Sequence, residues 1–239
     1  MVEPKRTPFK GHFLNIYETK GVILGFTECD FSPDLLTQRF HEYRLIDLKQ
    51  VHSNIIHFSS RLEPGAEGDG IILDQPGIIA VIRTADCTPL FFWDTEGSIG
   101  GVIHIGWQGL LKGIENELLK RLEEKSIDIN RLYFYMGPGI EKNCYEVGRD
   151  LYERFSCKHY REDIFSIHET KKDKFRMDVK KGIRLSLKES GILDSRVSAS
   201  PLCTYCEPGR FPSFRRDPAS GGRIYNFLAF TPQSRRKSR

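Results

Sequence analysis

The amino-acid sequence predicts one α/β domain whose sheets carry helices on their outer faces. Short apolar runs of strand type alternate with helical patterns along the 239 residues. No Pro/Gly/Ser-rich linker interrupts them, and several runs are continuously apolar, as in strands covered on both faces. Residues 21–29 (GVILGFTEC) read as a strand and residues 45–58 as extended chain carrying His52. Residues 71–73, 77–83, 90–93 and 99–105 read as further strands. Within residues 110–125, Leu110, Ile114, Leu118 and Leu122 recur every four positions, which makes one apolar helix face. Residues 132–136 form another buried-type strand, closed by Gly137-Pro138-Gly139. Residues 147–155 and 178–190 are expected to be helical. In the second, Asp178 is the N-cap, Val179, Ile183 and Leu187 point inward, and Gly191 follows as C-cap. Residues 196–200 and 223–230 supply the last strands.

Hydrophobic residues make up 39% and charged residues 28% of the chain, which excludes disorder, collagen and coiled coil. No apolar run approaches the ~20 residues that span a bilayer. The start, Met-Val-Glu-Pro-Lys-Arg, lacks the apolar segment of a secretory signal, so a cytoplasmic protein without a membrane partner is expected. The net charge of +4 equals the contribution of Arg235, Arg236, Lys237 and Arg239. The body is thus formally neutral and offers no broad electrostatic footprint for nucleic acid, and residues 231–239 are expected to form a basic, disordered tail. In a reducing compartment the six cysteines suit buried, metal-bound or reactive thiols rather than a disulfide scaffold.

Three segments end an apolar strand abruptly in polar residues: Gln50-Val51-His52-Ser53, Thr84-Ala85-Asp86-Cys87-Thr88-Pro89 and His104-Ile105-Gly106-Trp107-Gln108-Gly109. The carboxyl ends of strands are where ligand sites gather in α/β proteins. His52, Cys87 and His104 make a Cys/His₂ set that leaves one tetrahedral position of a zinc ion open, as in catalytic sites. Asp86 is suited to accept a proton, to orient a ligand histidine or to act as general base. The separations of 35 and 17 residues match no short metal motif, and each residue taken singly is better read as a strand-end His satisfied by a backbone hydrogen bond or as a buried Cys. The same residues suit a cysteine hydrolase in which Cys87 is activated by His104 or His52. One reading requires metal; the other tolerates chelators.

Cys203-Thr-Tyr-Cys206 is a lone C-x₂-C without the second pair of a zinc ribbon, and reads as two buried thiols or an ordered loop. Arg210, Arg215, Arg216 and Arg223 are interleaved with Phe211, Phe214, Gly221 and Gly222. Their guanidinium forks suit phosphate or carboxylate; pairing with Asp217 and Glu207 on a solvated loop serves equally well. No GxGxxG and no P-loop is present.

Taken together, these segments resemble the YfiH/YlmD-like family, long labelled polyphenol oxidase or laccase and now read as purine nucleoside phosphorylases. The family order QVH, Gly-Asp, TADC.P, HAGWRG, GP.I…YEVG, CT..C and FFSYRRD…GR is matched in sequence. It appears as Gln50-Val51-His52, Gly68-Asp69-Gly70, the Thr84–Pro89 segment, the His104–Gly109 segment and Gly137-Pro138-Gly139-Ile140. It continues as Cys144-Tyr145-Glu146-Val147-Gly148, Cys203-Thr204, Ser213-Phe214-Arg215-Arg216-Asp217 and Gly222-Arg223. The resemblance implies a single domain over residues 1–230, built as a four-layer α/β/β/α sandwich with mixed sheets. It also implies zinc held by His52, Cys87 and His104, with Asp86 joining these three in catalysis. Gln50, Thr84, Trp107, Gln108, Arg215, Arg216 and Arg223 fall where the substrate would bind. The implied partners are a purine nucleoside (adenosine, inosine or methylthioadenosine) and phosphate, with adenosine deamination as a further activity. The protein would be a monomer or homodimer. Copper is the poorer metal, because a multicopper oxidase needs many more histidines than the seven present.

The chain departs from the family pattern at Gln108 and Ile105, where HAGWRG has arginine and alanine, and at Glu28, where relatives carry an arginine-bearing loop. Both charge losses leave two alternatives open: a cysteine-dependent hydrolase acting on a peptidoglycan precursor, or a catalytically weakened zinc-binding member.

Overall fold

The structure is a computed structural model in which residues 3–19 and 21–231 are described. The basic tail expected from residue 231 onward lies, from residue 232, outside the described residues. The chain begins with β1 (Lys5–Phe9), β2 (His12–Thr19), β3 (Val22–Thr27), α1 (Pro33–Arg39), β4 (Arg44–Ile46) and β5 (Ile56–Phe58). It continues with β6 (Gly70–Leu73), β7 (Ile78–Thr84), β8 (Thr88–Trp93), β9 (Gly100–Ile105), α2 (Trp107–Lys112), α3 (Ile114–Glu123) and β10 (Tyr133–Met136). Then come β11 (Glu146–Gly148), α4 (Arg149–Arg154), α5 (Arg161–Ile164), β12 (Phe165–Ile167) and β13 (Lys174–Met177). α6 (Val179–Glu189), β14 (Val197–Ala199) and β15 (Ile224–Phe230) complete it.

Two six-stranded mixed sheets, ordered β1-β2-β3-β15-β7-β4 and β14-β10-β8-β9-β6-β5, face each other. The period of two along each strand decides the layering. In β7, Ile78, Ala80 and Ile82 turn toward the second sheet, while Ile79 and Val81 pack beneath Leu36 of α1 and Phe40. In the second sheet Phe91, Val102 and Tyr135 meet the first sheet, whereas Phe92, Ile103 and Phe134 pack with Leu110, Leu118 and Ile183 from α2, α3 and α6. The result is the α/β/β/α sandwich expected, with a small antiparallel sheet, β11-β13-β12, added on the α2/α6 side. Strands covered on both faces read as unbroken apolar runs for this reason.

Several boundaries differ from expectation for local reasons. The helix expected through residues 110–125 is broken by Gly113, whose φ of +71° is left-handed and caps α2 before α3 begins. Residues 45–58 are strand only at their two ends; between them His52 turns the chain with a φ of +55°. The helix expected from residue 147 starts at Arg149, because Val147 pairs with Phe175 as strand. The β1–β2 hairpin, α1 and β12–β13 had no counterpart in the sequence reading. α6 agrees closely: the Asp178 carboxylate accepts from Lys181 N at 2.8 Å, and Val179, Ile183 and Leu187 are buried. Among the described residues no helix is long and apolar enough to cross a membrane.

Candidate metal centre and active site

The sheet topology brings the three polar segments to one place. The tight turn between β7 and β8 carries Cys87, β9 carries His104, and the turn after β4 carries His52. Their ligand atoms all lie within 4.8 Å of one another, and the two imidazoles meet edge-to-face with centroids 4.8 Å apart. Backbone geometry is committed to this convergence. Asp86 adopts a φ of +90°, a costly conformation for a non-glycine residue, and so swings Cys87 toward the histidines. Gly106 lets the chain pass the thiol: a Cβ there would stand 2.7 Å from the Cys87 sulfur.

The organising group is Asp69, fully buried just before β6. Its carboxylate accepts from His104 Nδ1 at 2.8 Å, Ser53 N at 2.6 Å, Ser53 Oγ at 2.7 Å, His52 N at 3.1 Å and Val51 N at 3.3 Å. One carboxylate therefore shapes the His52 turn and fixes the His104 ring, leaving Nε2 of His104 to face Cys87. Burial alone would raise Asp69, but the bonds from His104 and Ser53 outweigh it and bring it down to about 2. Burial opposes charge on His104 too; the Cys87 thiolate and Asp69 overcome this and raise it to about 9. The Cys87 thiol, also pushed up by burial, is drawn down to about 6 by His104 and then His52. A thiolate and two oriented imidazoles form a soft S/N donor set suited to zinc. Among the described residues, the other group of metal-type donors contains only cysteines.

Two cavities meet at this centre. One, of about 510 Å³, is lined by Lys49, Gln50, His52, Arg83, Thr84, Cys87, His104, Phe214 and Arg223. The other, of about 240 Å³, is lined by His52, Asp86, Cys87, Trp107, Gln108, Tyr145, Phe214 and Arg215. Phe214, 57% exposed, borders both. Of the residues expected to catalyse, to hold metal or to bind substrate, all except Arg216 line one of the two cavities. Several are engaged with the wall itself. Gln50 spans Arg83, accepting from its N at 2.8 Å and donating to its O at 2.7 Å. Thr84 Oγ1 accepts from Asn226 at 3.0 Å. The Asp86 carboxylate accepts from Thr204 Oγ1 and Arg215 N, both at 2.7 Å, so it ties two loops together while Asp69 orients the histidine.

The arginine cluster divides. Arg216 donates to the carbonyls of Thr204, Tyr205 and Phe211 at 2.6–2.9 Å and braces its own loop. Arg215 donates to Glu146 O at 2.5 Å beside the smaller cavity, and Arg223 lines the larger. Arg210 is paired with Glu28 and Glu207. Glu28 is 3% exposed, holds Arg6 and Arg210, and lines neither cavity. Burial would raise this carboxyl, but the Arg6, Asn15 and Arg210 contacts leave it below its usual range. The charge that Glu28 brings thus joins the N-terminal hairpin to the C-terminal loop. Lys49, Arg83 and Asp69 were missed as site residues. Asp69 was visible only as part of a Gly-Asp-Gly step, because a supporting carboxylate has no spacing signature of its own.

A family model described as multi-copper polyphenol oxidoreductase laccase matches residues 34–231. The chain is 35% identical over 161 residues to purine nucleoside phosphorylase YlmD of Bacillus subtilis, an alignment covering 67% of this chain and 58% of that protein. It is 30% identical over 201 residues to purine nucleoside phosphorylase RC0672 of Rickettsia conorii, covering 84% and 82%. Adenosine deaminase RL5, from an unknown prokaryote, is 28% identical over 68% of this chain and 63% of its own length. Among solved structures, YlmD from Geobacillus stearothermophilus superposes with a TM-score of 0.83 at 21% identity, covering 95% of this chain and 99% of that one. The YfiH protein of Bacillus licheniformis gives 0.80 at 22% identity, covering 88% and 93%. The chain belongs to the multi-copper polyphenol oxidoreductase laccase family, among its YlmD- and YfiH-like proteins.

Proposed function

We propose that this protein is a zinc-dependent purine nucleoside phosphorylase acting on adenosine, inosine or methylthioadenosine, with adenosine deamination as a side activity. The observation that carries the reading is the Asp69–His104 pair. It presents one oriented imidazole nitrogen to Cys87 and His52 at the junction of two cavities. The relatives' names supply the substrate class. When bound by His52, Cys87 and His104, zinc supplies a Lewis acid beside the reacting sugar.

In phosphorolysis a phosphate oxygen bonds to C1′ of the ribose while the bond from C1′ to the base nitrogen breaks. The base leaves and takes up a proton. The larger cavity is within the size range of small-molecule sites and counts cationic Lys49, Arg83 and Arg223 in its lining, charges suited to an anion. Phe214 offers a ring face for the purine, and Trp107 and Gln108 line the neighbouring space. Gln50 and Thr84 hold the wall, and Asp86 ties the Thr204 and Arg215 loops together beside Cys87. Zinc-loaded protein incubated with inosine and phosphate is expected to release hypoxanthine and ribose 1-phosphate in equal amounts. Release of inosine and ammonia from adenosine would register the deaminase activity. Absence of base release from any of the three nucleosides would overturn the reading.

A second reading has its own observation. Cys87, His104 and Asp69 also form a thiolate–imidazolium–carboxylate relay of the kind that activates a cysteine nucleophile. Activity that survives chelation and disappears in Cys87→Ser would select it.

A further inference from the structure

The Cys203-x-x-Cys206 pair lacks a second C-x₂-C in the sequence, but the fold brings it a third thiol. The segment after β10 runs beside the pair, with Gly139 bridged to Cys203 and Thr204 N donating to Gly139 O at 3.1 Å. The short turn at Lys142–Cys144 then sets Cys144 over the pair. The three sulfurs lie within 4.8 Å of one another, with Cys144 and Cys206 3.2 Å apart. Glu141 N donates to the Cys203 sulfur at 3.4 Å. An amide donating to the first cysteine of the pair fixes the direction of its sulfur. Cys203 is buried, Cys144 half-buried and Cys206 exposed, so a cation can enter from the solvent side.

We propose that Cys144, Cys203 and Cys206 form a second zinc site, a three-thiolate centre separate from the His52–Cys87–His104 site. Three soft donors select zinc over hard cations. Tetrahedral zinc with Zn–S bonds of about 2.3 Å places its sulfurs about 3.8 Å apart, within the 4.8 Å that contains all three sulfurs here. A disulfide would join only two of the three at about 2.05 Å. Water at the exposed edge completes the coordination. The role is one of positioning. These cysteines line neither cavity of the first centre. The ion instead clamps residues 139–144 to the loop that carries Thr204, whose hydroxyl is bonded to Asp86 next to Cys87. This proposal goes beyond the phosphorylase reading and does not depend on it.

The test is the zinc content of full-length protein purified under reducing conditions with zinc supplied, then desalted. Two zinc ions per chain are expected in the wild type, one in Cys206→Ser, one in Cys87→Ser and none in the double variant. With cobalt as probe, the wild-type thiolate-to-cobalt absorption is expected to lose its larger part in Cys206→Ser. The wild-type cobalt spectrum and the wild-type zinc content need no variant to fold. One zinc per chain that Cys206→Ser does not alter overturns the proposal. So does an intact mass showing Cys144 and Cys206 oxidised to a disulfide with no second zinc bound. One zinc removed by Cys206→Ser and untouched by Cys87→Ser upholds this site and sinks the first.

Discussion

Replacing Asp69 by Asn is expected to weaken zinc binding at the His52–Cys87–His104 centre by about 10- to 100-fold, the usual consequence of losing the carboxylate behind a ligand histidine. The effect should stand at the upper end of that range, because Asp69 does more than orient one ring. It accepts five hydrogen bonds, and four of them come from Val51, His52 and Ser53, the turn that presents the second histidine. An amide has one oxygen and directs its NH₂ at donors that need an acceptor. Each buried donor left unpaired costs about 1–3 kcal/mol, so the melting temperature should fall with the affinity. Competition against a chromophoric chelator measures the affinity, and Ser53→Ala provides the comparison. It removes a single hydroxyl donor and should lose much less. An Asp69→Asn variant that binds zinc as tightly as wild type would show that the carboxylate does not hold the site together.

Glu115→Gln is expected to stabilise the protein by about 3–4 kcal/mol at pH 8, taking each unit of pKa shift as about 1.4 kcal/mol. Glu115 is fully buried between α3 and α6; Ser186 Oγ donates to one oxygen at 2.8 Å while the other has no partner. Burial raises this carboxyl to about 7, and Glu189 nearby raises it further while Lys158 opposes the shift. Between pH 4.5 and about 7 the folded protein thus keeps a proton that the unfolded chain has released. Stability then falls as pH rises through that window, and the deficit is complete above about 7. The variant removes the ionisation but keeps an acceptor for Ser186. For a chain of this size the gain corresponds to roughly 6–16 °C in melting temperature at pH 8, from about 2–4 °C per kcal/mol. It should shrink toward zero near pH 4.5. Equal melting curves at pH 8 would contradict the placement of a strained carboxyl there.

How much of this was legible in the sequence depended on where the signal was stored. Periodicity revealed β7, β9 and α6, because strands covered on both faces and a two-sided helix write their environment into consecutive residues. It did not reveal β1 and β2, an edge hairpin with few buried positions, or β12 and β13, which are too short to show alternation. Gly113 was hidden inside a faultless four-residue repeat, and only its left-handed φ shows why the helix stops there. At the site, ligand-type residues at strand ends were visible one by one. Their convergence was not, because it depends on β6 and β9 pairing Gly70 with Ile103, which sets Asp69 against His104. Arg216 and Glu28 show the opposite limit. The arginine cluster offered Arg216 as an anion donor, with a paired loop as the alternative, and the departure from the family pattern marked Glu28 as a missing donor. Their partners are backbone carbonyls in one case and Arg6 and Arg210 in the other. Cys144 joined Cys203 and Cys206 only through the Gly139–Cys203 bridge, across 59 residues of sequence from Cys144 to Cys203.

Phosphorolysis of inosine by the same protein before chelation, after chelation and after zinc is restored bears most directly on the Cys/His₂ centre. Hypoxanthine release should stop on chelation and return with zinc in the wild type, and should be absent throughout in Cys87→Ser. Turnover that continues undiminished in the chelated protein would contradict a zinc-dependent phosphorylase and leave Cys87 as a nucleophile in its own right.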